Sequence, residues 1–250
     1  VGWKLQAGEG GSYEPLVLRY DGTWQEEDIS DLELSGSDLR LLGVGVAPNG
    51  DVWAVGGVAG SPLVLVRNNG SWSRINGPGG EGAAWPDFLE DVAFADEHNT
   101  YVAAREGGSG RVLRFVDRAY VGFFATNGEL FGIDWGNQGY AVGDETGEGD
   151  IAAVRESTDA TSFESNVIGA LDIDGHLWGV DVLSGGDGFA VGYRSGGDFD
   201  DPLILQHSGG SWTEVAAPVT ATNAGSFLTG VSLVSALGGW TVGYTGDAGE

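Results

Sequence analysis

The 250-residue chain is 41% hydrophobic and carries nine Trp, ten Phe and seven Tyr, enough to build a sizeable core and to exclude wholesale disorder. Thirty-seven acidic residues against eleven basic ones give a formal net charge of -26, which opposes binding to nucleic-acid phosphates or to an anionic lipid surface. No apolar run reaches membrane-spanning length, so membrane insertion is not expected either, and the lack of Cys excludes disulfides, thiolate metal sites and Cys nucleophiles.

The basic residues are ten Arg and a single Lys, Lys4. Acids spread along a Lys-poor chain are the composition that keeps a surface hydrated in molar salt, where repulsion is screened to about 3 Å, and they predict a halophilic source. An extracellular or cell-surface location is expected. The chain starts at Val and contains no Met, which reads as a mature product or an excised domain, a monomer or one domain of a larger chain.

In chain order the first segment, "WKLQAG" (3–8), resembles the second strand of a repeat described below and has no evident place in it. "PLVLRY" (15–20) and "DGTW" (21–24) follow. An anchor then recurs five times: "LLGVGV" (41–46), "LEDVAF" (89–94), "LFGIDW" (130–135), "LWGVDV" (177–182) and "LTGVSL" (228–233). Its third residues, Gly43, Asp91, Gly132, Gly179 and Gly230, are 48, 41, 47 and 51 residues apart. Each anchor is followed by a second segment, in four cases of the type "VWAVGG" (52–57), "GYAVGD" (139–144), "GFAVGY" (188–193) or "GWTVGY" (239–244). In these the aromatic and Val are expected to pack between units, the small residue to admit close approach, and the Gly to open the loop that comes next.

A third segment comes next, "PLVLVR" (62–67), "RVLRFV" (111–116), "IAAVRE" (151–156) and "PLILQH" (202–207), and a turn with an aromatic closes each unit: "NNGSW", "VDRAY", "STDATSF" and "SGGSW". Short β-branched or aromatic segments bounded by Gly, Asp, Asn and Ser read as strands, and NG or GG pairs supply the positive φ of tight hairpins. The unit is therefore a four-stranded antiparallel meander, the blade of a β-propeller.

The fifth anchor has only its first two strands before the sequence ends, whereas residues 15–24 supply a third and a fourth strand alone. The sequence thus predicts an all-β fold, a single domain over 1–250 forming a five-bladed propeller. Four blades span 39–76, 88–125, 129–169 and 176–216, and a composite blade from 227–250 plus 1–29 closes the ring and removes an exposed edge.

Units such as "LWGVDVLSGGDGFAVGYRSGGDFDDPLILQHSGGSWTEV" (177–215) resemble the propeller repeats of secreted bacterial proteins and of the photosystem II stability factor family. Their last turn is similar to the Asp-box of sialidases and sortilins, Ser-x-Asp-x-Gly-x-x-Trp. Asp21, Gly22 and Trp24 keep part of it, Gly210 and Trp212 less, and the second unit has Asp117 and Tyr120 without the Gly. The resemblance implies architecture only, since in those families the box is a peripheral turn. Sialidase chemistry would need an Arg cluster that ten scattered Arg do not form.

Propellers bind ligands at one end of the central channel, through the innermost strands and the loops between second and third strands and between blades. Those loops diverge here: 57–61, 105–110, 144–150 and 193–201, with the acids concentrated in the last two. One innermost-strand position reads Gly45, Ala93, Asp134, Asp181 and Ser232. Asp134 and Asp181 are read as acceptors of backbone hydrogen bonds between blades, as a cation site for Ca2+ or another ion, or, with Asp144, as the acids of a glycoside-cleaving enzyme. Ligand-binding candidates are Asp134, Trp135, Asp181, Asp144, Tyr193 and Trp85, with an unidentified protein or glycan as partner. "DIDGH" (172–176) resembles the start of a calcium loop, which makes Asp172 and Asp174 weak metal candidates, but Leu183 stands where the closing acid belongs. The three His, 98, 176 and 207, are expected as exposed turn or strand residues.

Overall fold

The computed structural model describes residues 1–5, 13–32, 34, 39–58, 61–75, 86–145, 151–158, 173–196, 199–218 and 224–246. Among these the regular structure is all strand apart from one 3-10 turn at Ser30–Leu32. Among the described residues no helix is long and apolar enough to cross a membrane. The chain divides into two compact units, residues 1–107 with 113–123, and residues 108–112 with 124–250.

Two sheets are complete four-stranded meanders with strands in sequential order: β5 (Arg40–Val46), β6 (Val52–Val58), β7 (Ser61–Asn68) and β8 (Ser71–Arg74), then β9 (Phe88–Phe94), β10 (Asn99–Glu106), β11 (Ser109–Val116) and β12 (Ala119–Asn127). A third sheet contains β13 (Leu130–Trp135), β14 (Gly139–Glu145) and β15 (Ile151–Ser157); its closing turn and fourth strand were expected within 157–169, of which 159–169 lie outside the described residues. The fourth is again complete, with β16 (Gly175–Val182), β17 (Gly188–Arg194), β18 (Asp201–Ser208) and β19 (Ser211–Glu214), and β20 (Gly225–Ser235) pairs with β21 (Gly238–Gly246). Each complete sheet has the strand order of a propeller blade.

The expected hairpins form where positive φ was predicted. Asn69 (φ 49°) and Gly70 (88°), and Gly209 (61°) and Gly210 (80°), make two-residue turns between third and fourth strands. The second sheet makes the same turn without glycine, at Asp117 (φ 49°) and Arg118 (68°). Its geometry is held from outside: Arg118 Nε lies 2.6 Å from the buried Asp51 carboxylate, and His98 Nδ1 lies 2.7 Å from Asp117. Although burial raises the Asp51 pKa, hydrogen bonds from Asn68 and Arg118 hold it below the ordinary carboxylate value.

All five first-to-second strand pairings shift register at the same place, after the first anchor residue, so Leu42, Glu90, Phe131, Trp178 and Thr229 are bulge residues. This bulge corrects the expected role of the repeated glycine. A Cβ at Gly56, Gly143, Gly192 or Gly243 would lie 1.9–2.0 Å from the carbonyl oxygen of Arg40, Glu129, His176 or Phe227, so close backbone approach, not loop opening, selects Gly.

The strands bury the faces that the sequence pattern predicts. In the first unit Val55, Val64 and Val66 of one sheet pack against Leu89, Val102, Leu113 and Phe115 of the next. In the second unit Val142 and Val154 pack against Leu177, Ala190, Leu203, Leu205 and Trp212. A third cluster sets Val17 against Leu41, Ala54, Leu63 and Leu65, with Ile29 and Trp72 around it. Val17 follows Leu16 as Val64 follows Leu63, and so occupies, against the first complete sheet, the place that Val154 occupies against the fourth.

The N-terminal strands do not join β20 and β21 in one sheet among the described residues. β3 (Leu18–Tyr20) pairs with β4 (Trp24–Glu26), and β2 (Tyr13–Leu16) pairs with β1 (Gly2–Leu5). The segment beginning at Trp3, surplus in the expected composite blade, therefore fills a second-strand place. Gly2 lies opposite Leu16, as Gly56 lies opposite Leu63 and Gly192 opposite Leu203.

Candidate functional site

Asp134 and Asp181 occupy equivalent positions, opposite Tyr140 and Phe189. Asp134 Oδ2 accepts the backbone N–H of Val182 at 2.6 Å, and Asp181 Oδ2 accepts that of Leu233 at 2.8 Å. Each carboxylate thus links its innermost strand to that of the following sheet, which is the structural reading of the two. Burial, more than the nearby Asp181 charge, pushes the Asp134 pKa up from 3.8 to about 6 against the pull of the backbone hydrogen bonds.

Asp144 belongs to the other end of the strands. Its neighbour Gly143 lies opposite Leu130, four residues from Asp134, a separation of about 13 Å along a strand at about 3.3 Å per residue. The three acids of the enzyme reading therefore do not converge. Trp135, opposite Gly139, shares the end of the strand with Asp134. Trp85 and Asp172 lie outside the described residues; Asp174 is exposed, and its carbonyl accepts the Ser195 N–H. No cluster of three or more metal-ligating side chains occurs among the described residues.

Asp144 is joined instead by a residue that the sequence reading set aside. Its carboxylate, 4% exposed, accepts the Glu129 N–H through Oδ1 at 2.8 Å and lies 2.8 Å from His176 Nδ1 through Oδ2. A carboxylate only accepts, so Nδ1 carries the imidazole proton. His176 stacks on Tyr193, with centroids 5.1 Å apart and planes at 23°, and meets the edge of Phe131. Tyr193 in turn touches Trp178 and Phe227, and Phe227 stacks on Tyr244 at 5.0 Å. Asp144 and Tyr193, both predicted, are thus brought together through His176 at the head of an aromatic row.

The row follows from two repeat columns. The residue before each anchor reads Arg40, Phe88, Glu129, His176 and Phe227; the residue after each second-strand Gly or its equivalent reads Gly57, Arg105, Asp144, Tyr193 and Tyr244. Cross-strand register pairs Arg40 with Gly57, Phe88 with Arg105, His176 with Tyr193 and Phe227 with Tyr244. In the second sheet the Arg105 guanidinium lies over the Phe88 ring at 4.5 Å. These columns vary in chemistry while the strands beneath them repeat, and aligning them would have revealed His176 from sequence.

The His expectation is corrected at two of three positions. His98 is exposed, but His176 is largely covered, and His207 is buried with Nδ1 donating to the Gly186 carbonyl and Nε2 3.3 Å from the Tyr140 hydroxyl. Gln138 donates to the same hydroxyl at 2.6 Å. The chain of hydrogen bonds satisfies the polar atoms of a buried pair, which lone-residue reasoning does not detect.

Two of the clefts among the described residues differ sharply in lining. One of about 480 Å³ in the first unit is lined by Lys4, Glu14, Glu26, Glu27 and Asp28. Its charges are engaged: Lys4 pairs with Glu26 at 2.6 Å, and Glu27 accepts from Arg19, Arg67 and Trp72. The other, about 260 Å³ in the second unit, is apolar and lined by Phe189, Val191, Ile204, Leu233 and Trp240.

No family model matches this chain, and no curated protein matches it. Among solved structures it is similar to YCF48 from Cyanidioschyzon merolae, at 16% identity and a TM-score of 0.46, over 78% of this chain. The match covers 60% of the length of that protein.

Proposed function

We propose that the chain is a binding or scaffolding module, a five-bladed propeller from a halophile, acting at the cell surface or outside the cell without catalysis of its own. Its ligand, a protein or a glycan, docks on the loop side of the third and fourth blades, where Asp144 orients His176 and His176 stacks on Tyr193. That held stack is the observation that carries the reading: a planar pair whose largely covered imidazole is fixed in orientation by Asp144 suits a sugar face or an aromatic side chain. Trp85 is a secondary contact in this proposal, whereas Trp135 and a cation between Asp134 and Asp181 belong to the opposite end of the strands and take no part in capture.

The fifth blade is composite in this proposal. β20 and β21 supply its first two strands and residues 13–26 its third and fourth, their turn being Asp-box-like. Two observations support it. Val17 already packs on the first complete sheet as the third strand of a preceding blade would. Val191 and Ile204 line an apolar cleft on the fourth sheet, although their equivalents Val142 and Val154 are covered by Leu203 and Leu205. Leu16 and Leu18 are the corresponding leucines, and Leu18 is 44% exposed.

The rival, a carbohydrate-active enzyme using Asp134, Asp181 and Asp144, rests on the raised pKa of Asp134. A glycan array read for both binding and turnover separates the two. The binding reading expects Tyr193→Ala to abolish capture, Asp181→Asn to leave it unchanged, and no glycan to be cleaved. Turnover lost in Asp181→Asn with folding intact would replace it by the enzyme reading.

A further inference from the structure

The third and fourth sheets of the second unit enclose a polar cleft of about 220 Å³ at the end of the strands opposite Asp144. Its walls include Gln138, Tyr140 and Glu156 from the third sheet, and Asp187, His207 and the Gly209–Gly210 hairpin from the fourth. The donors of the buried pair at its base are spent. Burial raises the Tyr140 pKa, so the phenol keeps its proton and gives it to His207 Nε2, while His207 Nδ1 donates to the Gly186 carbonyl. Acceptors remain. The Glu156 carboxylate, on the residue opposite Tyr140, and the Asp187 carboxylate are half-buried, and neither makes an ion pair among the described residues.

The first unit has a corresponding cleft, and there the chain supplies a cation itself. It is lined by Asp51, Trp53, Glu97, His98, Asp117 and Arg118 among others. Strand register fixes the correspondence: Trp53 stands opposite Gly45 as Tyr140 stands opposite Asp134, which puts Asp51 in the place of Gln138. Tyr101 stands opposite Ala93 as Phe189 stands opposite Asp181, so Glu97 and His98 answer to Gly185 and Gly186. The hairpin residues Asp117 and Arg118 answer to Gly209 and Gly210. The Arg118 guanidinium reaches Asp51 at 2.6 Å, and His98 lies between Glu97 and Asp117.

All four of those turn positions are Gly in the second unit, so no side chain of the turn or the hairpin enters the cleft there. The charges change in a complementary way. Gln138 replaces Asp51 and the Arg is gone, yet two other acids appear: Glu156 at the place of Val66, which is opposite Trp53, and Asp187 at that of Asn99. A guanidinium has five N–H donors and no acceptor, the inverse of what these walls present.

We infer that this cleft binds a guanidinium group supplied from outside the chain, held by Glu156 and Asp187, where the first unit uses its own Arg118. The site is separate from the Asp144–His176–Tyr193 stack, which belongs to the other end of the same strands.

Amide NMR of the full chain tests this, with the signals of Gly185, Gly186, Gly209 and Gly210 as reporters. Ethylguanidinium is the free probe, acetyl-Gly-Arg-Gly-amide carries the same group on a polypeptide, and the citrulline peptide is its neutral isostere. Occupancy by guanidinium predicts saturable shifts with the first two and none with the third. Tighter binding of the Arg peptide assigns the group to a partner's side chain, and equal binding assigns it to a small free compound. Glu156→Gln and Asp187→Asn should each weaken binding about fivefold or more. Gln138→Asp with Gly210→Arg rebuilds the pair of the first unit and should abolish binding. The hairpin accepts Arg, since Arg118 holds a φ of 68° and a Cβ at Gly210 meets nothing within 4 Å. No shift with either guanidinium probe, equal shifts with citrulline, or wild-type binding in the folded Glu156→Gln and Asp187→Asn chains would overturn the assignment.

Discussion

Asp134 and Asp181 each place one carboxylate oxygen on a backbone N–H of the following sheet, and this geometry sets their response to pH. Asp134 binds its proton more tightly in the fold, with a pKa of about 6 against 3.8 in an exposed chain. A raised pKa adds stability that is fully present below about pH 4 and is lost as pH rises through about 6. The difference corresponds to about 3 kcal/mol at most. Urea unfolding of wild type and Asp134→Asn should therefore agree near pH 4, if the Asn keeps the Val182 contact through its amide oxygen, and diverge as pH rises to 7, the wild type losing stability that the variant keeps. Parallel pH profiles would refute the assignment. Asp144 makes a different prediction. Asp144→Ala removes the acceptor of the partly buried Glu129 N–H and releases His176, so it should cost about 1–3 kcal/mol and loosen the Tyr193 stack, seen as increased mobility of the His176 ring in NMR. At this scale the sequence named Asp144 and Tyr193 as ligand-binding candidates without the contact that joins them, and offered the backbone-acceptor reading of Asp134 and Asp181. It missed His176 because a histidine considered alone carries no sign of its cross-strand partner.

The strand repeat was legible because a period of two inside a period of about 47 residues leaves few alternatives, and its turns fell where NG and GG placed them. The glycine of "GFAVGY" was located correctly and explained wrongly. Only the register shift after the anchor brings the His176 carbonyl to 1.9 Å from where a Gly192 Cβ would stand, and a bulge has no composition of its own. Gly192→Ala should thus cost about 1–3 kcal/mol by chemical denaturation, through overpacking of the bulge. The second sheet carries Ala104 at the equivalent position and keeps the bulge, so Ala104→Gly should cost less, about 1 kcal/mol or below. Equal costs would show that the close approach is not what selects the residue. Val17→Ala should cost about 1–2 kcal/mol if Val17 is a core residue of a blade interface.

For the whole molecule the five anchor strands, each paired with its second strand, and the meander order within the complete sheets were readable from the repeat, whereas the closure expected from 227–250 with 1–29 is a pairing not made among the described residues. Net charge belongs to this scale as well. At -26 the folded chain repels itself at low ionic strength, where the screening length is about 10 Å at 0.1 M salt against about 3 Å at 1 M. The thermal midpoint should rise steadily from 0.1 M to molar KCl, and a flat or falling trend would count against a halophilic source. The central claim, a propeller whose last blade is completed across the termini, is tested most directly by hydrogen exchange along β21. In a completed blade the amides of residues 239–246 that point away from β20 are hydrogen-bonded to a third strand and exchange slowly, in alternation along the strand. Exchange of all those outward amides at the rate of an open edge, under conditions where the inner strands are protected, would contradict the account.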